Sequence, residues 1–128
     1  MYIPSPYFKD VPEFGDLELD HIFLENGYPV LFTCRNGKEI YLCVCRTVIG
    51  TQKWVVSKIS FQTLEDMIMN RVSIRDAFVK DNNLSCIIKW NKKDKCEKYN
   101  IVKSNTLTDE DLPSKNVFLE DDELDDIG

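Results

Sequence analysis

Asn36-Gly37 constrains this chain more than any other pair of residues. The dipeptide stands between two runs of β-formers, Pro29 to Arg35 and Lys38 to Val48. A two-residue turn of type I′ needs positive φ at both central positions, which Asn and Gly tolerate best. The pair predicts a hairpin, and a two-residue turn fixes its register. Arg35 then faces Lys38, Phe32 faces Tyr41 and Val30 faces Cys43. Gly50-Thr51 marks a second turn, and Gln52 to Ile59 supplies a third strand. The expectation is a three-stranded antiparallel meander over about residues 29–59.

Strand alternation divides the side chains of this meander into two sets. Val30, Phe32, Cys34, Tyr41, Cys43, Cys45, Trp54 and Val56 share one face. Leu31, Thr33, Ile40, Leu42, Val44, Val55 and Ile59 share the other. Both sets are apolar, whereas a sheet open to water on one side alternates apolar with polar residues. Both faces therefore need cover, from helices, from the N-terminal segment or from a partner. Phe32, Tyr41 and Trp54 are the candidates for contact with such a partner.

The period changes after residue 60. Ser60 or Thr63 can cap a helix that runs to about Asn70, with Leu64, Met67, Ile68 and Arg71 at helical spacing. Glu65-Asp66 is read as acid placed favourably near the helix N-terminus. Ser73 caps a second short helix, with Asp76 three residues on and Ile74, Ala77 and Phe78 as its apolar stripe. The two helices lie within about residues 61–80. Leu84 to Asn91 and residues 96–103 read as strands of a hairpin whose turn is Lys92-Lys93-Asp94-Lys95. Whether this hairpin extends the sheet or packs across it is open. A single helical turn fits near Asp109–Leu112. Pro4, Pro6 and Pro12 make the N-terminal segment extended or looped, and its aromatics, Tyr2, Tyr7, Phe8 and Phe14, are expected to lie across the body. The order of meander, helices and hairpin gives an α+β fold. At 128 residues the expectation is one domain over residues 1–119, followed by a disordered acidic tail, residues 120–128.

The net charge of −6 conceals three zones. Residues 104–128 hold nine acids and one lysine, a net −8, while residues 1–103 are +2. Residues 1–25 are acidic, and residues 89–103 hold six lysines against two acids. Partners must be argued from these zones and not from the total. No apolar run approaches the length of a membrane helix, and the start carries neither the basic nor the apolar region of a secretory signal. A cytoplasmic location with reduced thiols is expected.

Catalytic constellations are weak. Cys43 and Cys45 point to one face of a strand, but zinc prefers loop spacings and further ligands, so burial as small hydrophobes is the better reading. His21 is the one histidine available as base to any of the five cysteines, which leaves a small thiol enzyme as a distant alternative. No glycine pattern forms a phosphate loop. No cofactor or metal is expected. The lysine-rich hairpin, with Lys92, Lys93 and Lys95 beside Trp90 and Tyr99, is either a protected sheet edge or a nucleic-acid surface. The acids Glu120, Asp121, Asp122 and Glu123 either solubilise the chain, mask those lysines or reach for a basic partner.

Tyr41-Leu42-Cys43-x-Cys45, Trp54, Leu64-x-x-Met67-Ile68 and Ile74-Arg75-Asp76-Ala77-Phe78 together resemble a small bacterial protein family of unknown function. The resemblance covers about residues 28–80 and implies no catalytic residues. Within it, Arg75 and Asp76 are charged beside apolar positions, and they either solvate a helix start or present a docking surface. The leading expectation is a non-enzymatic, bacterial protein-interaction module of the antitoxin, immunity or mobile-element-regulator kind, which binds a protein partner. Homodimerisation through an uncovered sheet face would fit it. The alternative is a nucleic-acid-linked protein, which binds through the lysine hairpin or inhibits a nucleic-acid-binding protein.

Overall fold

A computed structural model describes residues 14, 17–25, 29–48, 51–91, 96–108, 111–113, 115 and 117–119. Six strands follow one another across a single antiparallel sheet: β1 (Glu18–Glu25), β2 (Pro29–Asn36), β3 (Glu39–Val48), β4 (Thr51–Ile59), β5 (Leu84–Asn91) and β6 (Cys96–Lys103). Two helices, α1 (Phe61–Ile68) and α2 (Ile74–Val79), occupy the connection from β4 to β5. The architecture is α+β, with the strands in meander order. β5 pairs with β4 and β6 with β5, so these two strands extend the sheet instead of crossing it. The turn expected at 92–95 and the tail 120–128 lie outside the described residues.

The first turn departs from expectation by one residue. Asn36 pairs with Glu39, which leaves Gly37 and Lys38 as the two linking residues. Gly37 takes φ +60 and Lys38 does not have positive φ, the arrangement of a type II′ turn with glycine first. Asn36 is held in the strand because its side-chain amide donates to the Phe14 carbonyl at 2.6 Å. Each partner in β3 therefore moves by two: Cys34 faces Tyr41 and Phe32 faces Cys43. An even shift preserves the faces.

The strand β1 was not expected. Glu18, Asp20, His21 and Glu25 interrupt its apolar pattern, and the registers place extra residues at Asp20 and Phe23. Such bulges reset alternation, so Leu19 and Ile22 reach one face and Phe23 and Leu24 the other. A third irregularity leaves Val30 unpaired between Leu31 and Pro29. Val30 consequently joins the helix-side core and not the face assigned to it from alternation.

Two cores result. The helix-side core gathers Leu31, Ile40, Leu42, Val44, Val55 and Ile59 of the sheet under Met67, Ile74, Ala77 and Phe78, with Leu112 and Val117 from the segment after β6. The opposite core holds Phe32, Cys34, Tyr41, Cys43, Cys45, Trp54, Val56, Cys86 and Ile88 with Phe14 and Leu17, which precede β1. The Phe14 ring packs on Tyr41 with centroids 4.7 Å apart. Residues 1–13, which carry the rest of the expected N-terminal cover, lie outside the described residues. A buried hydroxyl seam runs from Ser57 to Ser85 at 2.6 Å and from Ser85 to Ser104 at 2.7 Å, and it ties β4, β5 and the 3₁₀ turn Ser104–Thr106 together.

Candidate functional site

The helix α1 is fixed at both ends. The Ser60 hydroxyl accepts from the Thr63 amide at 3.1 Å. Asp81, just beyond α2, accepts from the Ser60 amide at 2.8 Å and from the Thr63 hydroxyl at 2.9 Å. At the other end Asn70 takes φ +60, its amide donates to Met67 at 3.1 Å, and the Arg71 amide donates to Asp66 at 2.8 Å. These two bonds and the left-handed Asn70 make a Schellman motif. Where such motifs often set an apolar contact, this one has an ion pair, Arg71 Nη1 to Asp66 at 2.9 Å.

Asp66 is the centre of this local structure. It lies past the first turn of α1, so the reading of it as a helix-start acid is corrected. Its carboxylate accepts from Lys80 Nζ at 2.5 Å, from Arg71 and from Gln62 Nε2 at 3.0 Å. The Lys80 ammonium and the Arg71 guanidinium hold its carboxyl down to about 2. Because Lys80 caps α2, the carboxylate ties the two helices together.

These polar ties decide which way α1 faces. Thr63, Asp66 and Met67 point inward. Phe61, Ile68 and Met69 are therefore turned out, 50%, 44% and 57% exposed, although Ile68 was grouped with Met67 from spacing. Phe61, Glu65 and Ile68 fall at i, i+4 and i+7, one strip of the helix, and Met69 follows at the cap. The Arg35 guanidinium lies 5.3 Å from the centroid of the Phe61 ring and pairs with Asp20 at 3.1 Å. Arg71 Nη1 reaches Glu65 at 3.8 Å at the other end. The result is an exposed strip in which Phe61, Ile68 and Met69 flank Glu65, with a guanidinium at each end. Three of the four exposed large apolar side chains among the described residues belong to it, the fourth being Tyr99 in β6.

The residues singled out from the sequence are dispersed. Phe32, Tyr41 and Trp54 share a face, but all three are buried within the chain's own core. Homodimerisation through an uncovered sheet face thus loses its premise, since both faces are closed along β2 to β4. Asp76 is exposed, and its amide donates to the capping Ser73 hydroxyl at 3.1 Å, as the sequence implied. Arg75 is half-buried and donates to the Pro113 carbonyl at 3.5 Å. Lys92, Lys93, Lys95, Glu120, Asp121, Asp122 and Glu123 lie outside the described residues. The strip on α1 was missed because its inner face sets Thr63 and Asp66 beside Met67, so apolar periodicity could not reveal which side was buried.

Among the described residues, neither Cys43 nor Cys45 is an activated thiol. Cys34, Cys43, Cys45 and Cys86 are buried. Burial, then the Cys34 thiol 4.0 Å away, pushes the Cys43 thiol well up, and burial pushes Cys45 up to about 12. A nucleophile needs the thiolate, which these surroundings disfavour. His21 is exposed on β1 with its ring against Phe23. Among the described residues no group of three or more His, Cys, Asp or Glu could hold a metal, and no helix is long and apolar enough to cross a membrane.

The segment after β6 makes one further charged contact. Thr108 and Asp111 close a single turn, with the Asp111 and Leu112 amides donating to the Thr108 carbonyl at 3.0 and 3.2 Å. The Asp111 carboxylate accepts in return from the Thr108 amide and hydroxyl, both at 3.0 Å, and pairs with Lys53 of β4. Burial pushes the Asp111 carboxyl up, but the Lys53 ammonium and the Thr108 donors outweigh it, and the net shift is downward. No family model, curated protein or solved structure matches the chain, so the resemblance seen over residues 28–80 supplies no further argument.

Proposed function

We propose that this chain is a non-enzymatic interaction module that binds a protein partner through the outer face of α1. The observation that carries this reading is the exposure of Phe61, Ile68 and Met69 on a helix whose other face is locked into the core. Half-exposed side chains of this size present about 300 Å² of apolar surface, the scale at which a patch on a monomer is often functional. A helix held by Asp81, Asp66 and the Schellman motif is pre-organised, which lowers the entropic cost of docking. The strip suits a partner with an apolar groove, the helix-in-groove mode, and carboxylates on the groove rim would meet Arg35 and Arg71. Antitoxins, immunity proteins and mobile-element regulators are settings in which such a module would serve.

The test places a photo-crosslinking side chain at Ile68, and at Lys103 on β6 as control, in cells that make the protein. A partner linked from Ile68 alone is then purified and titrated with the native chain and with Ile68→Asp. Residues at the centre of an interface cost about 2 kcal/mol or more when lost, about 30-fold in Kd. Ile68→Asp should weaken binding by at least that factor while circular dichroism stays native. Equal linking from both positions, or unchanged affinity, would overturn the reading.

A further inference from the structure

The two margins of the sheet are built differently. β1 has register irregularities and the acids Glu18, Asp20 and Glu25, devices that blunt an edge against further pairing. β6 has no irregularity: its register with β5 runs unbroken from Leu84–Lys103 to Asn91–Cys96. It is the last strand of the sheet, and among the described residues only β5 pairs with it. Its central residues, Tyr99, Asn100 and Ile101, are uncharged.

One bond fixes where the main-chain groups of β6 point. The Ser104 amide donates to the Asn83 carbonyl at 2.9 Å, and Ser104 stands opposite Asn83 when the register is continued. Bonded pairs alternate along an antiparallel ladder, so Val102 and Asn100 bond to β5, and Ile101 and Tyr99 turn their N–H and C=O groups outward. The side chains of Tyr99 and Ile101 lie on the sheet face opposite the helices, beside buried Ile88 and Cys86. Ile101 is half-buried against that core, whereas Tyr99 is 42% exposed. Two apolar rows, Trp54–Ile88–Tyr99 and Val56–Cys86–Ile101, thus run out at an edge whose outward main-chain groups belong to the same two residues.

We propose that a second copy of this chain pairs with β6, antiparallel, about a two-fold axis at Asn100. Each Tyr99 then stands opposite Ile101 of the second copy and exchanges main-chain bonds with it, an aromatic–β-branched pair made twice. An axis at Ile101 would set Tyr99 against Lys103, and one at Tyr99 would set Ile101 against Glu97, so the axis at Asn100 is the one that matches both. The row Trp54–Ile88–Tyr99 continues into Ile101–Cys86–Val56 of the second copy, and the two six-stranded sheets become one. The contact is isologous and closes, since it uses both β6 edges and leaves only the blunted β1 edges. A contact along one strand is smaller than a standard interface, which places the dimer in the micromolar range.

Sedimentation velocity of the full chain should show a monomer–dimer equilibrium across that range. Tyr99→Pro removes an outward N–H and no bond to β5, a change that an edge strand tolerates. Tyr99→Lys keeps the backbone and sets a cation against Ile101. Each should raise the dissociation constant at least about tenfold while circular dichroism stays native. Asn100→Cys should link two copies under mild oxidation, because directly opposed residues of a non-bonded pair lie about 4.5 Å apart. Lys103→Cys, about 20 Å from its counterpart, should link at least about tenfold less. A crosslinking side chain at Lys103 captures a second copy, a product told by its mass from any partner of α1. A chain that stays monomeric throughout, a dimer that neither Tyr99 variant weakens, or equal linking from Asn100→Cys and Lys103→Cys would each overturn the proposal.

Discussion

If the sheet face that carries Trp54 belongs to the core, the residue that seals it must be expensive to remove. Phe14 is the place to ask. Its ring is 2% exposed and packs on Tyr41, and its carbonyl takes the Asn36 amide. Truncation of a buried phenylalanine to alanine costs about 3–5 kcal/mol, transfer and cavity together. Unfolding entropy near the midpoint is about 2.1 cal/mol/K per residue, or about 0.27 kcal/mol/K for a chain of this length. Phe14→Ala should therefore lower Tm by about 11–18 °C. Phe61→Ala is the matched control. It removes the same ring from a half-exposed site over Arg35, where about 1 kcal/mol or less is at stake, and Tm should fall by no more than about 4 °C. Thermal melts by circular dichroism, with urea midpoints alongside, measure both. Equal shifts in the two variants, or a loss under about 4 °C for Phe14→Ala, would mean that Phe14 does not close the face. Phe32, Tyr41 and Trp54 would then return as candidates for partner contact.

Asp66 gives a pH-dependent expectation. Its carboxyl is held at about 2, below an unfolded value of about 3.9, so its contribution is full above about pH 4 and is lost as the pH falls toward 2. Asp66→Asn should be less stable than the native chain at neutral pH, and urea midpoints should converge between about pH 4 and pH 2; a gap that persists at pH 2 refutes the ion-pair account. The thiols give a kinetic one: Cys34, Cys43, Cys45 and Cys86 should resist iodoacetamide in the native chain and react within minutes in denaturant. Site-resolved mass spectrometry that found any of the four modified natively would contradict their burial.

The fold was legible where local chemistry and burial agree. Moving the turn by one residue shifts the β2–β3 partners by two, which keeps the faces, and only the irregularity opposite β1 moves Val30 to the other side. Ser73 was legible as a cap because it acts only on its neighbours, and the Asp76 amide does meet it. β1 was not legible, because its acids break the pattern and its bulges at Asp20 and Phe23 break the period that remains. The outward turn of Ile68 was hidden for the opposite reason. Thr63 and Asp66 look like surface residues, and only Asp81, Arg71 and Lys80, drawn in by the tertiary fold, make it favourable to bury them.

The register of β5 lies further from the sequence again, and it follows from the core. Cys86 and Ile88 must face Val56 and Trp54, and a slip of one residue would carry Lys89 into that core.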